Sequence, residues 1–185
     1  MTILFLPIDI DLSNFDFTQF DKSTELTAFN PYWNSSAIST DTILKNKFND
    51  ILDQLPFARI TTLTYKEQNG IVGDHVDVYP EMIFQPNELE HIKLNEPSGY
   101  RIVISGSTDA IEIFNGVEWV VARAPQTPCC YVLNSTRARH RIKEDAGRKI
   151  IYVRGFLNRE KHLELLSKSY KRYKDYAVNN LVDTN

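Results

Sequence analysis

The sequence predicts a mainly β fold: a jelly roll (double-stranded β-helix) with flanking α-helices. Three observations predict it. From Phe57 to Phe156, short runs rich in Val, Ile, Thr, Tyr and Phe recur at close spacing; with the N-terminal pieces they make about eight or nine strands. Asn115-Gly116 stands between two such runs, the strongest short-range hairpin signal. Helical periodicity is confined to two flanking stretches, 40–55 and 158–178. With 185 residues, 42% of them hydrophobic, residues 1–185 suit one domain with a sizeable core, of which 57–156 is the jelly-roll part.

In chain order, residues 3–9 read as an edge strand around Pro7. Residues 13–39 are rich in Asn, Ser, Thr and aromatics without a period, which predicts loops; Tyr32 and Trp33 read as packing residues there. Thr40 or Asp41 caps a helix whose apolar stripe is Ile43, Leu44, Phe48, Ile51, Leu52 and Leu55, and Pro56 ends it. Phe57–Tyr65 is a strand by β-branched and aromatic content, and Lys66–Gly70 is read as a turn. A polar excursion over 80–99, with a short helix near Asn87–Ile92, has the length of a lid or substrate loop. Tyr100–Ser105, Ala110–Phe114 and Val117–Arg123 predict a meander, followed by strands at Pro128–Leu133, Arg139–Ile142 and Lys149–Phe156. Asn158 caps a last helix that turns Leu163, Leu166, Tyr170 and Tyr173 to the core and its lysines and Arg172 to solvent.

Composition excludes some classes. The net charge of -3 favours neither nucleic acid nor an anionic membrane as partner. No apolar run is long enough to span a bilayer, and the short apolar opening lacks the basic flank of a signal peptide. Two cysteines occur, adjacent at 129 and 130, and strand neighbours face opposite ways. They are expected to be reduced, buried small residues of a cytoplasmic protein.

The chemistry centres on Asp74-His75-Val76-Asp77. On a strand, His75 and Asp77 point to one face, so an imidazole and a carboxylate converge from one rigid element. With His140 they would complete the two-histidine, one-carboxylate set that holds non-haem Fe(II) and leaves coordination positions open. A satisfied surface pair is the competing reading of a lone His-x-Asp. His91 and His162 read as surface residues. Arg148 begins the last core strand; a buried arginine there needs an anion, and the far carboxylate of 2-oxoglutarate fits a bidentate partner. Glu144 or Asp145 is the protein-internal alternative. Arg154, on the same strand face, is a second candidate anchor or a rim ion pair.

These residues carry a resemblance. Phe57-Ala58-Arg59-Ile60, Leu63, Gly70-Ile71 and His75-Val76-Asp77, then Tyr100-Arg101-Ile102-Val103-Ile104, Glu118-Trp119, Cys130–Asn134, His140-Arg141-Ile142 and Arg148–Val153 resemble, in order and spacing, the aspartyl/asparaginyl β-hydroxylase family of Fe(II)/2-oxoglutarate oxygenases. The resemblance covers roughly 57–156. It implies His75, Asp77 and His140 as iron ligands and Arg148 as the 2-oxoglutarate anchor. It also implies Thr64 as a hydroxyl helping to bind that carboxylate, and Arg101 as a substrate-facing residue. An ordinary strand threonine, and an Arg101 pair with Asp109 or Glu112, are the competing readings. The excursion from Val78 to Gly99 is longer than the family pattern. The expected activity is hydroxylation of an amino acid, a peptidyl side chain or another small polar metabolite, with O2 consumed and 2-oxoglutarate decarboxylated to succinate. The alternatives are a cupin-like metal enzyme without 2-oxoglutarate, and a non-enzymatic binding protein on the same fold.

Overall fold

The structure is mainly β, with the strands in two antiparallel sheets. A computed structural model describes residues 2–14, 28–30, 35–39, 49–68, 70–77, 98–143 and 147–182. Among them, the larger sheet has the spatial order Val178–Asn179 (β12), Ile3–Ile8 (β1), Cys129–Leu133 (β9), Gly99–Ser105 (β6), Arg148–Leu157 (β11), Phe57–Gln68 (β4), Ser35–Ser39 (β3) and Ala28–Asn30 (β2). The smaller sheet has the order Val72–His75 (β5), His140–Ile142 (β10), Ile111–Phe114 (β7) and Trp119–Val121 (β8). One helix, Arg159–Tyr173 (α1), follows β11; the Asn158 side chain accepts from the Lys161 N–H at its start.

Alternation along the strands sorts the core into two layers. Val103, Ile111, Ile113, Cys129, Tyr131 and Ile150 belong to one buried cluster, Val103, Cys129 and Ile150 lying in register across β6, β9 and β11. Their neighbours Ile102, Cys130 and Ile151 point the other way, to a cluster with Leu52, Leu55 and Leu166. Cys129 and Cys130 thus face opposite layers as free, buried thiols, as their adjacency predicts.

Several expectations are corrected. Two of the strands, β2 and β3, lie inside the stretch read as loops, and β3 pairs with β4. The turn expected at Lys66 comes later, because β4 continues to Gln68 and pairs with β11 as far as Arg148. The meander does not form: β6 belongs to the larger sheet and β7 to the smaller, and only β7 and β8 make the hairpin. That hairpin closes with Gly116 at φ 98° and with the Asn115 side chain accepting from the Val117 and Glu118 N–H groups. Pro7 does sit where β1 is an edge, since β12 pairs only Ile3 and Phe5.

On α1 the expected Leu166, Tyr170 and Tyr173 do pack on the core, but Leu163 is exposed, and the fully buried positions beside Leu166 are His162 and Ser169. His162 is therefore no surface residue: it is fully buried, its Nδ1 2.7 Å from the Tyr100 hydroxyl. Lys168 and Arg172 are not simply solvated, for both reach the Asp9 carboxylate. After α1, a 3-10 turn over Lys174–Tyr176 leads to β12 on the larger sheet, where the expected helix would have continued. Of the helix expected over 40–55, residues 49–52 are helical; its earlier part lies outside the described residues, as do Tyr32, Trp33, His91, Glu144, Asp145 and the excursion from 78 to 97. No helix among the described residues is long and apolar enough to cross a membrane.

Candidate metal centre

The first ligand pair comes from the end of β5. Strand pairing places His140 on β10 directly opposite His75, with ring centroids 4.2 Å apart. Asp77 lies two residues on, just past the strand, where its N–H donates to the Ser135 carbonyl at 2.8 Å. Its Oδ1 is 3.5 Å from His75 Nε2 and 3.8 Å from His140 Nε2. One ligand atom from each of His75, Asp77 and His140 falls within 4.8 Å of the others, close enough for one ion. The three expected ligands therefore meet, although Asp77 reaches the cluster from a loop rather than from the strand itself.

Each imidazole is aimed by its second nitrogen. His75 Nδ1 is 2.7 Å from the Gly73 carbonyl, and His140 Nδ1 is 2.9 Å from the Ala138 carbonyl. A carbonyl only accepts, so each Nδ1 carries a proton and each Nε2 is the atom left to face the centre, able to ligate whenever its imidazole is neutral. Backbone carbonyls in this position are the usual orienting partners of metal-binding histidines. The turn from Asn134 to Ala138, between β9 and β10, thus holds Asp77 through Ser135 and His140 through Ala138.

Electrostatics suit a cation. Burial alone would raise the Asp77 carboxyl. The hydrogen bond from His75, the Arg101 guanidinium, His140 and the Ser135 hydroxyl together hold it well below the usual carboxylate range. Burial pushes His140 down to about 4, so its imidazole is neutral at pH 7. The hydrogen bond with Asp77 raises His75 instead.

A pH dependence follows for the metal-free protein. Unfolded His140 takes a proton near pH 6.5, which the folded chain refuses until about pH 4. Its contribution is present in full above 6.5 and lost as the pH falls, up to about 3 kcal/mol at the acid end. His75 has the opposite sign, lost only as the pH rises through its raised pKa, so it adds little slope below about pH 6. Urea midpoints should fall from pH 6.5 to 5, and His140→Gln should flatten that slope; an unchanged slope would mean His140 is not buried neutral.

The remaining expected residues share the inner face of the larger sheet. Arg101 Nη2 lies 3.6 Å from Asp77 Oδ2, and its guanidinium carbon is 4.9 Å from the Tyr152 ring centroid. It does not pair with Glu112, which Arg141 and Lys143 engage at 2.6 Å each. Thr64 stands in register with Tyr152, which in turn stands in register with Arg101, so the three form one rung across β4, β11 and β6. Arg148 is buried on the same face, four residues back along β11, about 13 Å at strand rise, and near enough to Cys129 to act on its thiol. The structure thus brings Arg101 to the triad and sets Arg148 deeper between the sheets. Sequence reasoning missed Ser135 and Lys66. Ser135 arrives from a distant turn and left no sequence signal; Lys66 is two residues from Thr64 and, on a strand, had to share its face.

At the rim, Arg139 bonds the Asp74 carboxylate and lies over Phe114 and Trp119, fixing the residue next to His75. No protein-family model matches the chain, and no curated protein matches it in sequence.

Proposed function

We propose that this chain is an Fe(II)- and 2-oxoglutarate-dependent dioxygenase that hydroxylates an amino acid, a peptidyl side chain or another small polar metabolite. The observation that carries the reading is the meeting of His75, Asp77 and His140, each Nε2 aimed inward by a backbone carbonyl on Nδ1. Two imidazoles and one carboxylate, without thiolate, suit Fe(II) with open positions better than a closed structural zinc site. The order of the strands supports a double-stranded β-helix, cupin-like: β4, β6, β9 and β11 are contiguous in one sheet, β5, β7, β8 and β10 in the other. Membership of the aspartyl/asparaginyl β-hydroxylase family is part of this proposal and rests on the ordered motifs of the sequence.

Fe(II) would be held by His75, Asp77 and His140; with 2-oxoglutarate and O2 it supplies oxidative decarboxylation coupled to hydroxylation of a substrate C–H bond. The chain's own residues do the rest. Arg101 holds the Asp77 carboxylate ionised and oriented. Tyr131, Ile113 and Ile150 wall the space between the sheets with apolar surface that keeps water from the reaction. Arg148 and Thr64 supply a cation and a hydroxyl for the cosubstrate carboxylate.

Anaerobic titration tests this. Fe(II) and 2-oxoglutarate together are expected to give a weak visible charge-transfer band that neither gives alone, and Arg148→Ala should demand more 2-oxoglutarate for it. Stoichiometric iron binding without the band would favour a cupin-like enzyme that does not use 2-oxoglutarate. No iron binding would leave a non-enzymatic β protein.

A further inference from the structure

We infer that Lys66 is a carboxylate-binding residue of the space between the sheets, its Nζ meeting the anionic end of a small molecule held beside the His75–Asp77–His140 cluster. The inference rests on the dioxygenase reading for what that molecule is, but not for the site itself.

Lys66 pairs with Ile150, which pairs with Val103, placing it one rung from Thr64, Tyr152 and Arg101 and on the same face. That rung lies between the triad and the deeper Arg148. Lys66 Nζ is 5.3 Å from the Tyr152 ring centroid, and Arg101 approaches the same ring at 4.9 Å. Two cations thus share one largely buried aromatic ring. Among the described residues, the carboxylate that acts on Lys66 is Asp77, which Arg101 and both histidines already engage. Lys66 makes no ion pair among the described residues, although it is half-buried and its ammonium is held below its usual pKa by that burial and by Arg101 and Arg154. A divalent ion on Asp77 would add further positive charge. Among the described residues, cations would then outnumber anions around Tyr152, and an incoming carboxylate would bring Lys66 a counter-charge and acceptor atoms.

Such a carboxylate has two sources, the far end of 2-oxoglutarate or the substrate itself. Calorimetry on the Mn(II)-loaded chain separates them, with glutarate, 2-oxoglutarate and 2-oxobutyrate as probes; the last keeps the chelating end and lacks the far carboxylate. Loss of one charged hydrogen bond should weaken binding about tenfold or more. If the cosubstrate is the source, Lys66→Met weakens 2-oxoglutarate by that factor, leaves 2-oxobutyrate unchanged, and Lys66→Arg restores most of the affinity. If the substrate is the source, 2-oxoglutarate is unchanged and glutarate, titrated with 2-oxoglutarate saturating, weakens instead. Should the methionine variant not fold, Lys66→Gln is read by the same criteria. Equal affinities in wild type and variant for both glutarate and 2-oxoglutarate would overturn the inference. Lys66-dependent glutarate binding in a protein that shows no charge-transfer band would retain the site and remove the dioxygenase reading; a band in a protein whose glutarate and 2-oxoglutarate affinities are both indifferent to Lys66 would do the reverse.

Discussion

Asp77→Ala is expected to abolish stoichiometric Fe(II) binding, and with it any hydroxylation, while leaving the fold in place. The carboxylate is within 3.5 Å and 3.8 Å of the two inward imidazole nitrogens and is the only acid of the cluster. Its removal subtracts a ligand and the cluster's one negative charge, and leaves the Arg101 guanidinium, which Asp77 Oδ2 approaches at 3.6 Å, facing an incoming cation without that carboxylate between them. Loss of an orienting partner alone costs about 10- to 100-fold in metal affinity. Loss of the ligand itself, with repulsion added, should exceed the upper figure. Asp77→Asn keeps the volume and should lose nearly as much, because an amide is a weaker donor to the ion and leaves the same excess charge. Equilibrium dialysis under anaerobic conditions reads both, with circular dichroism as the control on folding. Wild-type affinity in either variant would mean that His75, Asp77 and His140 form a polar cluster and not a centre. That outcome would remove the catalytic reading altogether.

Gly155→Ala is expected to cost far more stability than a methyl group ordinarily does, because it falls where the backbones of β4 and β11 close on each other. Between Arg154 and Gly155 the register of β11 against β4 slips: Arg154 pairs with Thr62 and Gly155 with Ile60. Such a bulge bends the strand and draws the backbones together. A Cβ on residue 155 would meet the Arg59 carbonyl oxygen and lie 2.8 Å from the Ile60 Cα. Neither is the tip of a side chain that can swing aside, so β4 or β11 must shift. The cost should reach about 3 kcal/mol, the upper end for overpacking. Those strands carry Thr64, Lys66, Tyr152 and Arg101's neighbour, so 2-oxoglutarate binding should weaken too. Chemical denaturation measures the first effect; a change under about 1 kcal/mol would show that the strands yield at this point.

Local chemistry made most of the elements legible. β-Branched and aromatic runs marked β4, β6, β9 and β11; Asn115-Gly116 marked the β7–β8 hairpin; Asn158 marked the start of α1. The adjacent cysteines announced opposite faces, because a strand repeats every two residues; His75 and Asp77 reach one site for another reason, since β5 ends at His75 and Asp77 comes in from the loop beyond it. The triad was legible as residue types in order. Its meeting was not, since it depends on β5 lying beside β10, a pairing across 65 residues of chain that no local pattern encodes.

What the sequence by itself determined, then, is that β1 and the segments from β4 to β11 are strands, which of their faces are apolar, and which side chains are able to ligate a metal. The tertiary structure alone decided which sheet each strand joins. Sheet membership turns on long-range pairing, where loop closure and core packing outweigh local preference. That is why β6 and β7, sequence neighbours expected to form a meander, part into opposite sheets. It is also why His162, which reads as a surface residue on a lysine-rich helix, is buried against Tyr100, and why Lys66, which reads as a turn residue, stands between the sheets. A polar side chain enters the interior only where a partner from elsewhere in the chain meets it, and that partner's position is a property of the fold.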